Sequence, residues 1–115
     1  MSNKMSDNPD FTKYFNDWFH ECRAIVMDGN RAAFGYDLEF EEGYKYVKLL
    51  MNTGNQRTSW AFVRKSDGDI LKCASWAAPA KGARGNIFDD HGGMQFIQWT
   101  GPMYIEGMKR VQSSV

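Results

Sequence analysis

The chain is poor in the residues that metal centres, disulfide frameworks and membrane spans require. It has 2 cysteines and 2 histidines in 115 residues. Cys22 and Cys73 lie far apart and form no CxxC pair, so two reduced thiols are expected rather than a disulfide framework or a zinc site. No run approaches the roughly eighteen apolar residues that span a bilayer, and the polar start Met1-Ser2-Asn3-Lys4 lacks the apolar stretch of a signal peptide. The expectation is a protein with no membrane span and a cytoplasmic location. Catalytic groups are equally sparse. Asp89-Asp90-His91 offers oxygen and nitrogen ligands, but no second cluster stands at metal-site spacing, and His20 is far away in sequence. Ser59 and Ser75 have no identifiable base, and no paired carboxylates recommend general acid/base work. The sequence therefore predicts no catalytic residue, no metal and no cofactor, and hence a non-enzymatic protein.

What is present is a ring-rich chain of one domain's length, with 15% aromatic residues that include Trp18, Trp60, Trp76 and Trp99. Asn8-Pro9-Asp10 has the form of a helix start: an N-cap, a proline where its missing N–H costs nothing, and an acidic residue favoured by the dipole. Phe11, Tyr14, Phe15, Trp18, Cys22, Ile25 and Val26 then recur at three- and four-residue spacing, predicting an amphipathic helix over about 9–28 with Gly29 at its stop. Residues 31–43 admit two readings, a further helical turn at Ala32-Ala33-Phe34 or an alternating strand at Asp37–Glu41. From Tyr44 the pattern predicts a meander, with strands at Tyr44–Met51, Thr58–Arg64 and Ile70–Trp76 separated by turns around Gly54 and Gly68. Ala77–Gly85 reads as a small-residue loop that Pro79 keeps out of regular structure. Ile87-Phe88, Met94–Trp99 and Met103–Ile105 are short further strand candidates. The predicted class is α+β, one domain over 1–115, with a helix followed by a bent five-stranded antiparallel sheet occupying about 44–106.

The zero net charge conceals a segregation of sign. Residues 1–42 hold 4 basic and 9 acidic residues, whereas residues 43–84 hold 8 basic residues against Asp67 and Asp69. This asymmetry points either to a positive surface for an anionic partner or to neutralisation by the acidic segment, within the chain or across a subunit contact. Strand alternation places Thr58, Trp60, Phe62 and Arg64 on one face, and Ile70, Lys72, Ala74 and Trp76 on another. Rings and cations sharing a face suit single-stranded nucleic acid, in which bases stack and Lys or Arg meet phosphate. The same rings would equally serve as core beneath the helix, with the cations snorkelling at the sheet edge. In Lys81-Gly82-Ala83-Arg84-Gly85-Asn86, two glycines allow close backbone approach beside two cations, as in a phosphate-contacting loop. The spacing is neither a Walker A nor a dinucleotide motif.

Gly68-Asp69-Ile70-Leu71-Lys72, the segment Ser75–Ile87, and Trp99-Thr100-Gly101-Pro102-Met103-Tyr104 together resemble a family of small marine-phage and cyanophage proteins. That family is similar in fold to Sm and Hfq-type proteins. The resemblance implies an N-terminal helix on a bent five-stranded small barrel of Sm-like or SH3-like type. It also implies a homo-oligomeric ring, a pentamer among the candidates, which binds RNA or single-stranded DNA in an infected host cell. Arg84-Gly85-Asn86-Ile87 resembles the Arg-Gly element that lines the RNA path in Sm proteins. The companion Sm element is not matched, because the turn reads Lys65-Ser66-Asp67-Gly68-Asp69 and lacks the Asn. Backbone and stacking contacts are thus expected rather than uridine-specific recognition. The expected contacts are Lys81, Arg84, Gly85 and Asn86 at phosphate, Trp60 and Trp76 as stacking platforms, and Arg64 and Lys72 in support. Two other functions fit the same chain: a module that binds a host protein through the acidic first 42 residues or the helix, and a binder of a small anionic metabolite.

Overall fold

A computed structural model of the chain describes residues 4–102. A single 3-10 turn at Met5–Asp7 leads into helix α1, Pro9–Val26. Its first turn is fastened as the sequence predicts: the Asn8 side chain accepts a hydrogen bond from the Phe11 N–H at 3.2 Å, and Pro9 occupies the first helical position. Phe11, Phe15, Trp18, Cys22 and Val26 form the buried stripe. Burial of such side chains contributes roughly 1.5–3 kcal/mol each. The predicted end near residue 28 comes two residues early, and Gly29, at φ +61°, opens a second 3-10 turn, Gly29–Arg31.

Five strands follow in chain order: β1 Tyr36–Glu42, β2 Tyr46–Thr53, β3 Arg57–Arg64, β4 Asp69–Cys73 and β5 Pro79–Asn86. They form one antiparallel sheet of order β1-β2-β3-β4-β5, so the architecture is α+β. The sheet is open, with β1 and β5 at its edges. It spans Tyr36 to Asn86 rather than the predicted 44–106. The stretch left undecided by periodicity is thus a strand, paired from Tyr36↔Thr53 to Glu42↔Val47.

The larger correction concerns β5, which was expected to be loop. Alanine, glycine and proline carry little strand propensity, and pairing with β4 at Cys73↔Pro79, Leu71↔Ala83 and Asp69↔Asn86 imposes the extended form. Pro79 is tolerated because it is the first residue of an edge strand. Two register shifts and positive φ at Gly82 and Gly85 make this edge irregular. Ile87-Phe88 is not a strand. Of Met94–Trp99 only Ile97–Gln98 is extended, as β6, which pairs with β7, Gly101–Pro102. The Met103–Ile105 candidate lies outside the described residues.

The core sits between α1 and one face of the sheet. Val47, Leu49, Ala61, Val63 and Ile70 are fully buried there with the helix stripe. Trp18 is held from both sides, tilted against Phe15 and Trp60 with ring centroids at 5.9 and 6.2 Å. Its indole N–H donates to the Gly93 carbonyl at 3.1 Å. Gly93 has φ +81°, and a Cβ there would lie 2.8 Å from the Trp18 ring, so only glycine fits this approach.

Candidate nucleic-acid interface

A single inserted residue decides which rings can reach a ligand. Leu49 pairs with Ala61 and Leu50 with Ser59, so Trp60 is the extra residue of a bulge. The expected common face of Thr58, Trp60, Phe62 and Arg64 is therefore broken. Trp60 turns towards the helix and is 3% exposed, with its indole N–H donating to the Trp99 carbonyl at 2.9 Å. It is a core residue and not a surface platform. Phe62 projects from the opposite face, where it pairs with Leu71 and with Lys48 across the neighbouring strands. Leu50, Phe62 and Leu71 are buried on that outer face, apart from the helix-side core.

Trp76 stands in the β4–β5 connection, folded back by the Ala74 and Ser75 N–H groups, which donate to the Ala78 carbonyl. It is 51% exposed. The Lys48 ammonium lies 3.5 Å from the centroid of its ring and 6.0 Å from that of Phe62. Tyr46 adds an edge-on contact to Phe62 at 5.8 Å. Beside this group, a cleft of about 270 Å³ is bounded by the β1–β2 turn, with Tyr44, Lys45, Tyr46 and Phe62 in its lining. Tyr44 is 73% exposed. Cation and rings thus do share a face, but through Lys48, Tyr46, Phe62 and Trp76 rather than through Trp60 and Arg64. The alternation of Tyr44, Tyr46 and Lys48 was visible in the sequence. Their apposition to Trp76 needed the fold.

The other expected contacts are dispersed. Arg64 is clamped by Asp67 and Asp69 at 3.0 and 2.9 Å, which raises its pKa and holds the Asp67 carboxyl below the usual range. Asn86 is a structural staple: its amide donates to the Asp67 carbonyl and to Asp69, both at 2.8 Å, and its oxygen accepts from the Phe88 N–H. Gly85 has φ +146°, and a Cβ added there would lie 3.6 Å from the Ile70 side chain. Arg84 is only 4% exposed, so the Arg-Gly pair lies within β5 rather than on an open loop. Lys72 is half-buried, and Lys81 is exposed with no ion pair among the described residues.

Among the described residues, two of the eight basic residues of 43–84 are neutralised by the acidic segment, and a further pair lies within that segment. Arg57 meets Glu39 at 2.8 Å and Glu41 at 3.2 Å, Lys65 meets Glu42 at 2.6 Å, and Arg23 meets Asp37 at 2.6 Å. The acidic strand β1 therefore neutralises part of the basic segment beside it. Asp89, the other acidic candidate, accepts hydrogen bonds from the His91 and Gly93 N–H groups and closes a turn. Among the described residues no group of His, Cys, Asp and Glu converges at metal-binding distance. No helix there is long and apolar enough to cross a membrane.

Fold and site together define a small α+β domain, one helix packed on a five-stranded antiparallel meander that presents rings and lysines on the face away from the helix. The chain belongs to the Family of unknown function (DUF7717), whose model matches residues 5–105. No curated protein and no solved structure matches it.

Proposed function

We propose that the protein is a non-enzymatic binder of single-stranded RNA or DNA, and that the strand lies across the outer face of the sheet. The observation that carries this reading is the Lys48 ammonium seated 3.5 Å from the ring of the half-exposed Trp76, beside Phe62 and Tyr46. A base stacks on an exposed indole, while a neighbouring ammonium meets the phosphate that follows it. Lys45 and the exposed Lys81 extend the positive path along the β1–β2 turn and the β5 edge. In the same reading the meander is a bent Sm-like or SH3-like sheet whose two open edges join copies into a ring. Four of the nine acidic residues of 1–42, Asp37, Glu39, Glu41 and Glu42, are engaged by Arg23, Arg57 and Lys65, which weakens the case for strand β1 as a docking surface for another protein.

The test is fluorescence anisotropy with mixed-sequence single strands. Affinity should fall linearly in log–log form as salt rises, with a slope set by the phosphates engaged. Trp76→Ala should weaken binding by about 1–3 kcal/mol, the value of one base–aromatic stack. Lys48→Ala should lower both affinity and salt slope. Binding that ignores salt and both substitutions, or no binding at all, defeats the proposal.

A further inference from the structure

One cation on the outer face borders two separate ring surfaces. The Lys48 ammonium lies 3.5 Å from the centroid of the half-exposed Trp76, and the same residue lines the cleft beside the β1–β2 turn together with Tyr44 and Tyr46. The cleft, about 270 Å³, falls just below the roughly 300–1,000 Å³ of sites for drug-sized ligands and suits a single base. Phe62 also lines it but is buried, which leaves the largely exposed Tyr44 as its stacking ring. The turn that carries Tyr44 and Lys45 is pinned by two backbone bonds. The Gly43 N–H donates to the Tyr46 carbonyl at 2.8 Å, and the Lys65 N–H donates to the Lys45 carbonyl at 2.9 Å. Its backbone is thus set before a ligand arrives, which lowers the ordering cost of binding. Glu41 and Glu42 are held in ion pairs by Arg57 and Lys65, whereas Lys45 and Lys48 have no ion pair among the described residues. The charge left at this end of the face is positive.

Resting on the single-strand reading above, we infer that the outer face holds two adjacent nucleotides as a unit. One base stacks on Trp76, its neighbour enters the cleft against Tyr44, and Lys48 meets the phosphate that joins them. Within a single strand every phosphate has a base on either side, and a cation with a ring surface on either side has the matching order. Lys45, next to Tyr44 on the turn, takes the phosphate beyond the second base. Stacking tolerates any sequence because every base has a π-face, so this site responds to the adjacency of two bases and not to their identity. Each base–aromatic stack contributes about 5- to 150-fold in affinity.

The experiment uses labelled DNA strands of one length built on stable abasic units, so that all carry the same charge. They bear no base, one thymine, two adjacent thymines or two thymines set well apart. Fluorescence anisotropy should show the adjacent pair bound about 5- to 150-fold more tightly than the single thymine, with the separated pair close to the single one. Tyr44→Ala should remove the gain of the adjacent pair, and Tyr44→Phe, which keeps the ring, should retain it. A structural role for Tyr44 would instead weaken every strand alike, the one without bases included, and that result overturns the inference. Salt-dependent binding that a second adjacent thymine does not improve also overturns it and leaves the single-strand reading intact. A gain that survives Tyr44→Ala, or that the separated pair shares, rules out adjacent bases on Trp76 and Tyr44. Binding of none of these strands, nor of ordinary oligothymidylate, overturns both readings.

Discussion

The two faces of the sheet are built to different rules. Towards α1, buried apolar side chains interlock, and the one indole at the centre, Trp18, has both its faces and its N–H occupied. On the outer face, Leu50, Phe62 and Leu71 form a buried apolar floor, with the Tyr46 ring edge-on to Phe62 and the Lys48 ammonium between Phe62 and Trp76. The first face holds the molecule together. The second places a cation and the half-exposed Trp76 ring over its apolar floor.

The two cysteines report this contrast most directly. Cys22 is fully buried in the helix stripe, and burial, with a smaller contribution from Glu21, pushes its thiol far above the ordinary range. Cys73 ends β4 and is half-buried; burial raises its pKa, while a hydrogen bond to Ser59 and the charges of Lys48 and Lys72 oppose the rise. A thiol reagent should therefore modify Cys73 in the native state and reach Cys22 only by global unfolding. With stabilities typical of small domains the two rates should differ by on the order of 10³ or more. Mass spectrometry of a labelling time course checks this, and comparable rates at the two thiols would mean that the helix-side core opens locally.

Substitution of tryptophan on either face is the next largest effect. Trp18→Ala should cost about 3–5 kcal/mol, because it leaves a cavity and removes the bond to Gly93. Trp76→Ala should cost under about 1 kcal/mol of stability while it removes the proposed stacking surface. Chemical denaturation of the two variants measures both. If Trp76→Ala destabilises as much as Trp18→Ala, the outer face is a second core and not a binding surface.

How far the sequence discloses these faces depends on what fixes each element. Helix α1 is legible because Asn8, Pro9 and the aromatic period all act locally. Strands β2 to β4 are legible because β-branched and aromatic runs are punctuated by Gly54 and Gly68. Strand β5 is not, since Ala80, Gly82, Ala83 and Gly85 become a strand only through the hydrogen bonds of β4. Nor is the orientation of Trp60, because one bulged residue reverses the alternation on which any face assignment rests. At the site, Trp76 could be singled out as a ring near cations, whereas its partner Lys48 follows from register alone. The internal use of charge was foreseeable as an alternative. Its pairs, Arg57 with Glu39 and Glu41, required β1 to be a strand.

The smallest effect lies where the helix-side layer meets the end of the sheet. Glu42 accepts from Lys65 and from the Met5 N–H, each at 2.6 Å, and so ties the 3-10 turn before α1 to the end of β1. The Lys65 bond, followed by that of Met5, holds the Glu42 pKa below its ordinary value of 4.5. A carboxyl depressed in the folded state stabilises the fold above its unfolded pKa, and that contribution is lost as pH falls through the folded value. Stability should accordingly be flat from neutrality to about pH 5 and decline below it, with Asp37 and Asp67 adding to the same acid limb, since both are held low by arginine. The Lys65 side chain is 7% exposed and that of Glu42 34%, so the pair is half-buried, and its worth is about 1 kcal/mol. Glu42→Gln should lower the melting temperature at pH 7 by a few degrees and make the decline between pH 5 and 3 shallower. An acid limb unchanged in slope would show that the two faces are joined at this end by packing of Met5 alone, with the ion pair contributing nothing measurable.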